Sequence, residues 1–577
     1  PSTPSVNQTW GSPSFLFLPI EDMESGDDLY IKMNSRGKPL TEFEVFKARL
    51  EKSLETSGRH EQLSRKFDRE WSDLLWHYEG GDFSIDEEFM NYIAFIIDVC
   101  EWRAGPTRGD ESLLERAEHL FTHHEDADLH LDFLFFAFDT WVGDTPSDNK
   151  PARVFSELFS VEGGIGSGLL LFESQDPNLF GACVEHYGSN QFSLAETLFL
   201  YAVIIFRQSC ADEPVEVLSQ RLRSLRNIAE SAPDEVRNEY MPELIASTAK
   251  VMTEVTDSNL DGLKRFNQAR VDDERLKRTL MQEHPAVEPA VRALEDHPLL
   301  RGRLFAFELD PATIAEQGDN FQSVSNDELL PSLASALLTK GDYSRRLGSR
   351  RQFGVPGQRR GGGSWRDLLT SGSREARSAM RAAVNELLED VASRDGQPQD
   401  ILRDIANDWL SDREATATFD WRYYFVKYPA MLEAGQGMYV SGDEASKFGY
   451  KLHMLNGRDY RSAFKDPYLQ AIWTEVAMPG EVAKPEFRSW DYTGSEQAMR
   501  LHQSGVGIRS LDVGLEILLP EDPVQADTAK TALAPFAPDA ENVIHVKKAG
   551  AEGDQVDAQD RVQLGVKIVR ALVNAGL

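Results

Sequence analysis

The sequence predicts a mainly α-helical, multi-domain protein with a short strand–turn–helix at its start and an α+β module at its end. Three observations predict it. From about residue 59 to 310, apolar residues recur at helical spacing and only short polar stretches interrupt them. From Phe419 onward Tyr and Trp become dense and strand-like runs appear. The chain has 577 residues, more than one hydrophobic core organises, which points to about three or four domains. The changes in character place the divisions at 1–58, 59–310, 311–418 and 419–577.

The first segment reads as strand, tight turn and helix. Leu29-Tyr-Ile-Lys-Met33 alternates, Asn34-Ser-Arg-Gly-Lys-Pro39 is turn chemistry, and Thr41-Glu-Phe-Glu44 is a capping box. Phe43, Phe46 and Leu50 then fall on one helical face. Amphipathic helices follow at Glu87–Trp102, Ser112–Phe121, Leu194–Gln208, Val215–Glu230 and Val287–Leu294, and an apolar one at Leu329–Leu338. A loop rich in Arg and Gly spans 343–366, and helix resumes at Trp365 and runs, with breaks, to Trp409. In the last segment Gly437–Ser441, Ile508–Leu519 and Val543–Lys547 read as strands. A final helix, Asp557–Val573, sets Val562, Val566, Val569 and Val573 on one face.

Charge and cysteine content narrow the function classes. A formal net charge of −34 repels phosphates over most of the surface, so any nucleic-acid contact has to use a local basic patch. Cys100, Cys183 and Cys210 show no metal-ligand spacing and read as small core residues in a reducing cytoplasm. The longest apolar run, Leu198–Phe206, is half the length of a membrane helix, and no secretory signal opens the chain, so no membrane partner is expected. The opening Pro1-Ser-Thr-Pro-Ser5 reads as the start of a fragment.

Two segments carry candidate binding chemistry. In Tyr30-Ile-Lys-Met-Asn34-Ser-Arg-Gly37-Lys-Pro-Leu40 a turn feeds a capped helix, which gathers backbone N–H groups and the positive helix end where a phosphate would sit. Asn34, Arg36, Gly37 and Lys38 are its candidate nucleotide ligands; a plain strand–turn–helix connection is the competing reading. In the basic loop, Arg345, Arg346, Arg350, Arg351, Arg359, Arg360 and Arg366 are candidate nucleic-acid ligands, with Tyr343, Phe353 and Trp365 available to stack on bases. The competing reading has these arginines paired with the chain's own carboxylates. The histidines His119, His123, His124 and His130 fall in a charged, helix-ending stretch and read as solvated, and the late His453, His502 and His545 are too scattered to suggest a nuclease site. No metal ligand is assigned.

The spacing aromatic-x-x-x-Asn34-x-x-Gly37-x-x-Leu40 before a Thr-capped helix resembles the third motif of the GmrSD restriction endonuclease N-terminal domain family, domain of unknown function 262. Phe67-Asp-Arg-Glu-Trp71, Asp86-Glu-Glu-Phe-Met90, Arg223-Ser-Leu-Arg-Asn227, Leu294-Glu-Asp-His-Pro-Leu-Leu-Arg-Gly302 and Asp420-Trp-Arg-Tyr-Tyr-Phe-Val-Lys-Tyr-Pro429 resemble further stretches of its large members. The resemblance implies a ParB-like nucleotide-binding domain, NTP hydrolysis with Mg, and nuclease action on foreign or modified DNA. It carries over only to Asn34, Gly37 and Leu40; the family's two earlier motifs, a Gln-Arg pair and Asp-Gly-Gln-Gln-Arg, are expected upstream of Pro1. The resulting expectation is a fragment of a restriction or phage-defence protein, supplying part of a nucleotide site and a helical body that senses DNA, a second copy of itself or a second defence subunit. The alternative is a non-enzymatic helical scaffold that binds a protein partner.

Overall fold

Thr41 and Glu44 start the first helix as their spacing requires. In α1 (Glu42–Ser53) the Thr41 hydroxyl accepts from the Glu44 N–H at 3.1 Å, and the Glu44 carboxylate accepts from the Thr41 N–H at 2.8 Å. The computed structural model describes residues 40–577 except 56–57, 82, 105–110, 230–235, 255–259, 349, 355–358, 371–372, 433–437, 442–451, 456–463, 488–497 and 551–554. The expected strand and turn at 29–39, with Asn34, Arg36, Gly37 and Lys38, therefore lie outside the described residues.

Backbone packing divides the chain into two units. Residues 1–153 with 180–193 form one, and 154–179 with 194–577 the other. In the first, Phe43, Phe46 and Leu50 are buried as their periodicity predicts. Phe43 stacks on Phe89 of α2 (Asp86–Ala104), with ring centroids 4.3 Å apart. Trp71 stacks on Phe138 of α3 (Ala127–Asp139) at 4.2 Å and donates its indole N–H to Asp139 at 2.8 Å. The aromatic bodies supply apolar burial while the one polar atom of Trp71 keeps a partner. Cys100 and Cys183 are buried in this unit, and burial pushes the Cys100 thiol up to about 12, which leaves it an unreactive core residue.

The second unit begins with a three-stranded sheet, β1 (Phe159–Val161), β2 (Ile165–Gly166) and β3 (Leu169–Leu171), in the order β2-β1-β3. The apolar run at 198–206 lies inside α4 (Leu194–Ser209) and is buried throughout, as a helix apolar on all sides must be. Next come α5 (Val215–Ala229), α6 (Gln268–Glu283) and α7 (Glu288–Glu295), and then the apolar α8 (Leu330–Lys340). No described helix is long and apolar enough to cross a membrane.

The Arg/Gly-rich segment is not a loop. β4 (Arg345–Leu347) and β5 (Arg350–Gln352) form a hairpin in which Leu347 pairs with Arg350, and Gly348, at φ +65°, supplies the left-handed turn. β5 then pairs with β6 (Met438–Ser441), and β7 (Leu452–Leu455), β8 (Phe464–Lys465) and β9 (Glu486–Phe487) complete a six-stranded antiparallel sheet. Helix resumes at Arg359, not Trp365, as α9 (Arg359–Thr370). This sheet takes strands from both sides of residue 418, and one apolar core runs from Leu280 to Leu577.

The strand expected at 508–519 is folded back on itself. β10 (Met499–Arg500), β11 (Gly507–Leu511), β12 (Gly514–Leu518) and β13 (Val543–His545) form a four-stranded sheet, with Leu511 paired to Gly514. α10 (Trp421–Lys427) and α11 (Pro467–Val476) precede this sheet in the chain and contribute to the core, and the paired strands β14 (Lys548–Ala549) and β15 (Val556–Asp557) follow it. The final helix, α12, is Arg561–Asn574. It starts four residues later than expected because Asp560 is its cap, accepting from the N–H groups of Val562 and Gln563 at 3.0 and 3.1 Å. Val562, Val566 and Val569 are buried as predicted.

A buried ion pair ties the end of the chain to α10. Asp557 and Arg561 are both fully buried, 2.8 Å apart, and the guanidinium also donates to the carbonyls of Leu511 and Asp512 at 2.7 and 3.0 Å. The Tyr424 hydroxyl donates to Asp557 at 2.8 Å, and those of Tyr423 and Tyr428 donate to Asp560 at 3.1 and 2.6 Å. The aromatic run at 421–428 is thus a packing and hydrogen-bonding surface. Removing one partner of a buried pair leaves the other uncompensated, so Arg561→Leu should lower unfolding free energy by about 3–5 kcal/mol. Urea denaturation of this unit checks it; the double variant Arg561→Leu/Asp557→Leu should lose less than the sum of the single variants.

Candidate functional site

Three helices converge on one lysine. On α6, Asp273, Glu274 and Lys277 are spaced i, i+1 and i+4, which puts them on a single face. Lys277 is fully buried, an expensive place for an ammonium unless every proton finds an acceptor. Its ammonium lies 2.8 Å from Glu274, 2.9 Å from Glu295 at the end of α7 and 3.5 Å from Asp273, and it donates to the carbonyl of Gly302 at 2.6 Å.

α5 closes the arrangement from the other side. The Asn227 amide donates to Glu274 at 2.9 Å and to Glu295 at 2.8 Å, while its oxygen accepts from Arg226 at 2.8 Å. Arg226, also fully buried, reaches Asp296 at 2.6 Å and the Leu170 carbonyl at 3.1 Å. Arg223 takes Asp296 with two parallel bonds, 2.7 and 3.1 Å. The Ser224 hydroxyl donates to Glu274 at 2.6 Å and accepts from Arg278 at 3.1 Å. Four cationic side chains, Arg223, Arg226, Lys277 and Arg278, therefore face an equal number of carboxyl groups, Asp273, Glu274, Glu295 and Asp296.

Burial works against each charge, and the partners decide which groups stay ionised. Burial would lower Lys277, but Glu274, Glu295 and Asp273 outweigh it and hold the ammonium above its ordinary range. Burial would raise Glu274, yet Lys277 and Arg278 hold it below its ordinary range. Asp273 has fewer partners, and there burial wins and raises its pKa. Glycine is required at 302: φ is +80°, and a Cβ there would fall on the Asn227 carboxamide.

A cavity of about 310 Å³ opens above this cluster, between α5, α6 and α7. Its buried end is Ser224, Glu274 and Glu295; Arg223, Arg278 and Arg292 stand along the walls with increasing exposure, at 17, 22 and 30%. Val217 and Met281 supply an apolar strip.

The basic segment is placed differently from a stacking, phosphate-wrapping loop. Arg345 and Arg346 lie on the strand β4, Arg350 on β5, and Arg359 and Arg360 in the first turn of α9. Arg351 is turned inward, 3.0 Å from Asp342 and 3.1 Å from the Ser344 hydroxyl, and Arg366 lies 3.6 Å from Glu173. Tyr343 and Phe353, which flank the hairpin, and Trp365 of α9 are buried against one another and so cannot stack on bases. His119 to His123 form one π-helical turn, and His130 is buried rather than solvated. Among the described residues no group of three or more His, Cys, Asp or Glu is placed to hold a metal ion.

The stretches Arg223–Asn227 and Leu294–Gly302, singled out in the sequence only by resemblance, meet here. Sequence patterning does not single out Lys277, because Asp-Glu-x-x-Lys in a helix has the same spacing as a solvated ion-pair face. No family model, no curated protein and no solved structure matches the chain.

Two measurements probe the cluster. Gly302→Ala should destabilise the second unit by roughly 2 kcal/mol or more in urea unfolding, through strain and overlap with Asn227. His297, within the 294–302 stretch, is held down to about 4 from 6.5 by burial. It is neutral in the fold and takes up a proton first when unfolded. Stability is therefore complete above about pH 6.5 and declines as pH falls toward 4. His297→Gln should flatten that decline in urea midpoints measured across this range; an unchanged slope would assign it to other groups.

Proposed function

We propose that this chain is the helical body of a GmrSD-like restriction or phage-defence protein, in which Asn34, Arg36, Gly37 and Lys38 approach a nucleotide and the basic segment at 345–366 approaches DNA. The observation that carries the reading is the meeting of Arg223–Asn227 with Leu294–Gly302. Both stretches bear the family resemblance, about seventy residues apart, and they supply opposite sides of one buried charge cluster. A third, Asp420–Pro429, supplies the hydroxyls that hold Asp557 and Asp560. The capped helix α1 directly after Leu40 is the local context that the nucleotide-binding turn needs.

In this reading Arg345, Arg346, Arg350, Arg359 and Arg360 are the DNA-binding subset, and Arg351 and Arg366 support the fold through Asp342 and Glu173. A second reading, a non-enzymatic scaffold that binds a protein partner, is favoured by the net charge of −34, which opposes phosphate binding, together with those internal ion pairs.

NTP hydrolysis with Mg and cleavage of modified and unmodified DNA, assayed on the full-length gene product beside this 577-residue chain, separate the two. The defence reading predicts both activities in the full-length protein and their loss in Asn34→Ala and Gly37→Val with little change in thermal midpoint; activity unaffected by both variants would refute the nucleotide site. Alanine at Arg345, Arg346, Arg350, Arg359 and Arg360 should weaken DNA binding and flatten the plot of log affinity against log salt by about 0.9 for each phosphate no longer neutralised. An unaltered salt slope would leave the scaffold reading standing.

A further inference from the structure

We propose that the cleft between α5, α6 and α7 is a binding site for a phosphate monoester of mononucleotide size. Its volume, about 310 Å³, is at the lower end of the range for small-molecule sites. Carboxylates at the buried end would ordinarily repel an anion. Here they are already satisfied: Glu274 accepts from Lys277, Asn227 and Ser224, and Glu295 from Lys277 and Asn227. Arg223 and Arg278, which offset those carboxylates, also stand on the cleft walls. Above the buried end the lining carries Arg223, Arg278 and Arg292 beside Glu254 and Glu288, and these two carboxylates are paired with Lys250 and Arg292.

Arg223 and Arg292 retain N–H groups for a ligand. Each guanidinium carries five N–H groups. Arg223 directs its two terminal nitrogens to Asp296 and Glu295, and Arg292 is bonded to Glu288, one turn away on its own helix, through Nε at 2.7 Å and through one terminal nitrogen. Those bonds orient the planar groups without using all their protons, and oriented guanidiniums are suited to the tetrahedral oxygens of a phosphate. The remaining lining has a different character. Val217 of α5 and Met281 of α6 form an apolar strip, and Gln220 and Gln282 stand on the same two helices with amides that both donate and accept. A phosphate at the arginines and a flat, hydrogen-bonding group on the strip would use both parts of the cleft.

The cleft alone carries this inference, so its failure would leave the family reading untouched. Isothermal titration calorimetry of the 577-residue chain with adenosine 5′-monophosphate, adenosine and inorganic phosphate tests it. Adenosine 5′-monophosphate should bind, with adenosine and inorganic phosphate each weaker by about tenfold or more. Arg292→Gln should weaken the monophosphate by about tenfold while leaving the thermal midpoint in place, because Arg292 pairs only within α7 and outside the buried cluster. Met281→Ala should weaken the monophosphate but not inorganic phosphate. Absence of binding by both phosphate-bearing probes at millimolar concentration, or affinity that Arg292→Gln leaves unchanged, would overturn the assignment.

Discussion

A lysine ammonium with no access to water has to be met on all sides, and Lys277 is met by groups from separate parts of the chain. Asp273 and Glu274 come from its own helix and are in place as soon as α6 forms. Glu295 and the Gly302 carbonyl come from α7 and the bend beyond it, and they arrive only when the tertiary structure closes. Asn227 then bridges the two carboxylates from α5. Removing any of these leaves a buried charge without its partner, which is more expensive than never having buried it. The helices α5, α6 and α7 are therefore fixed in mutual register by electrostatics rather than by apolar contact alone, and the cleft above them inherits that geometry.

The same device recurs at the C-terminus. Asp557 and Arg561 form a buried pair whose spare donors go to main-chain carbonyls and whose spare acceptors go to tyrosine hydroxyls. Around it the packing is apolar and close; a Cβ at Gly565 of α12 would fall on Ile472 of α11. In both places a shape-tolerant apolar core is combined with a polar group that accepts only one arrangement, a combination suited to specifying one register among several of similar hydrophobic energy.

How much of this is legible in the sequence depends on whether the signal is local. Thr41 and Glu44 announce a helix start by chemistry confined to four residues, and Phe43, Phe46 and Leu50 announce its buried face, so α1 is readable. The face of α12 is readable for the same reason, while its start is not, since Asp557 and Asp560 are both acceptable caps and Asp557 is drawn into β15 by its pairing with Lys548. The segment 345–366 misleads because clustered glycines signal turns and its strands are only three residues long; they exist because β6, almost ninety residues later, supplies the partner. Lys277 is invisible for a related reason. Nothing in Asp273-Glu274-x-x-Lys277 distinguishes a face packed against Glu295 from one bathed in water, although the stretches that bury it stand out separately by their family resemblance.

Lys277 makes α5, α6 and α7 one cooperative unit, which native-state hydrogen exchange on Lys277→Met can test. Amides of all three helices and of residues 296–302 should lose protection together and by similar free energies, because each contributes to the network around the same ammonium. Loss confined to α6, with α5 and α7 exchanging as before, would contradict it.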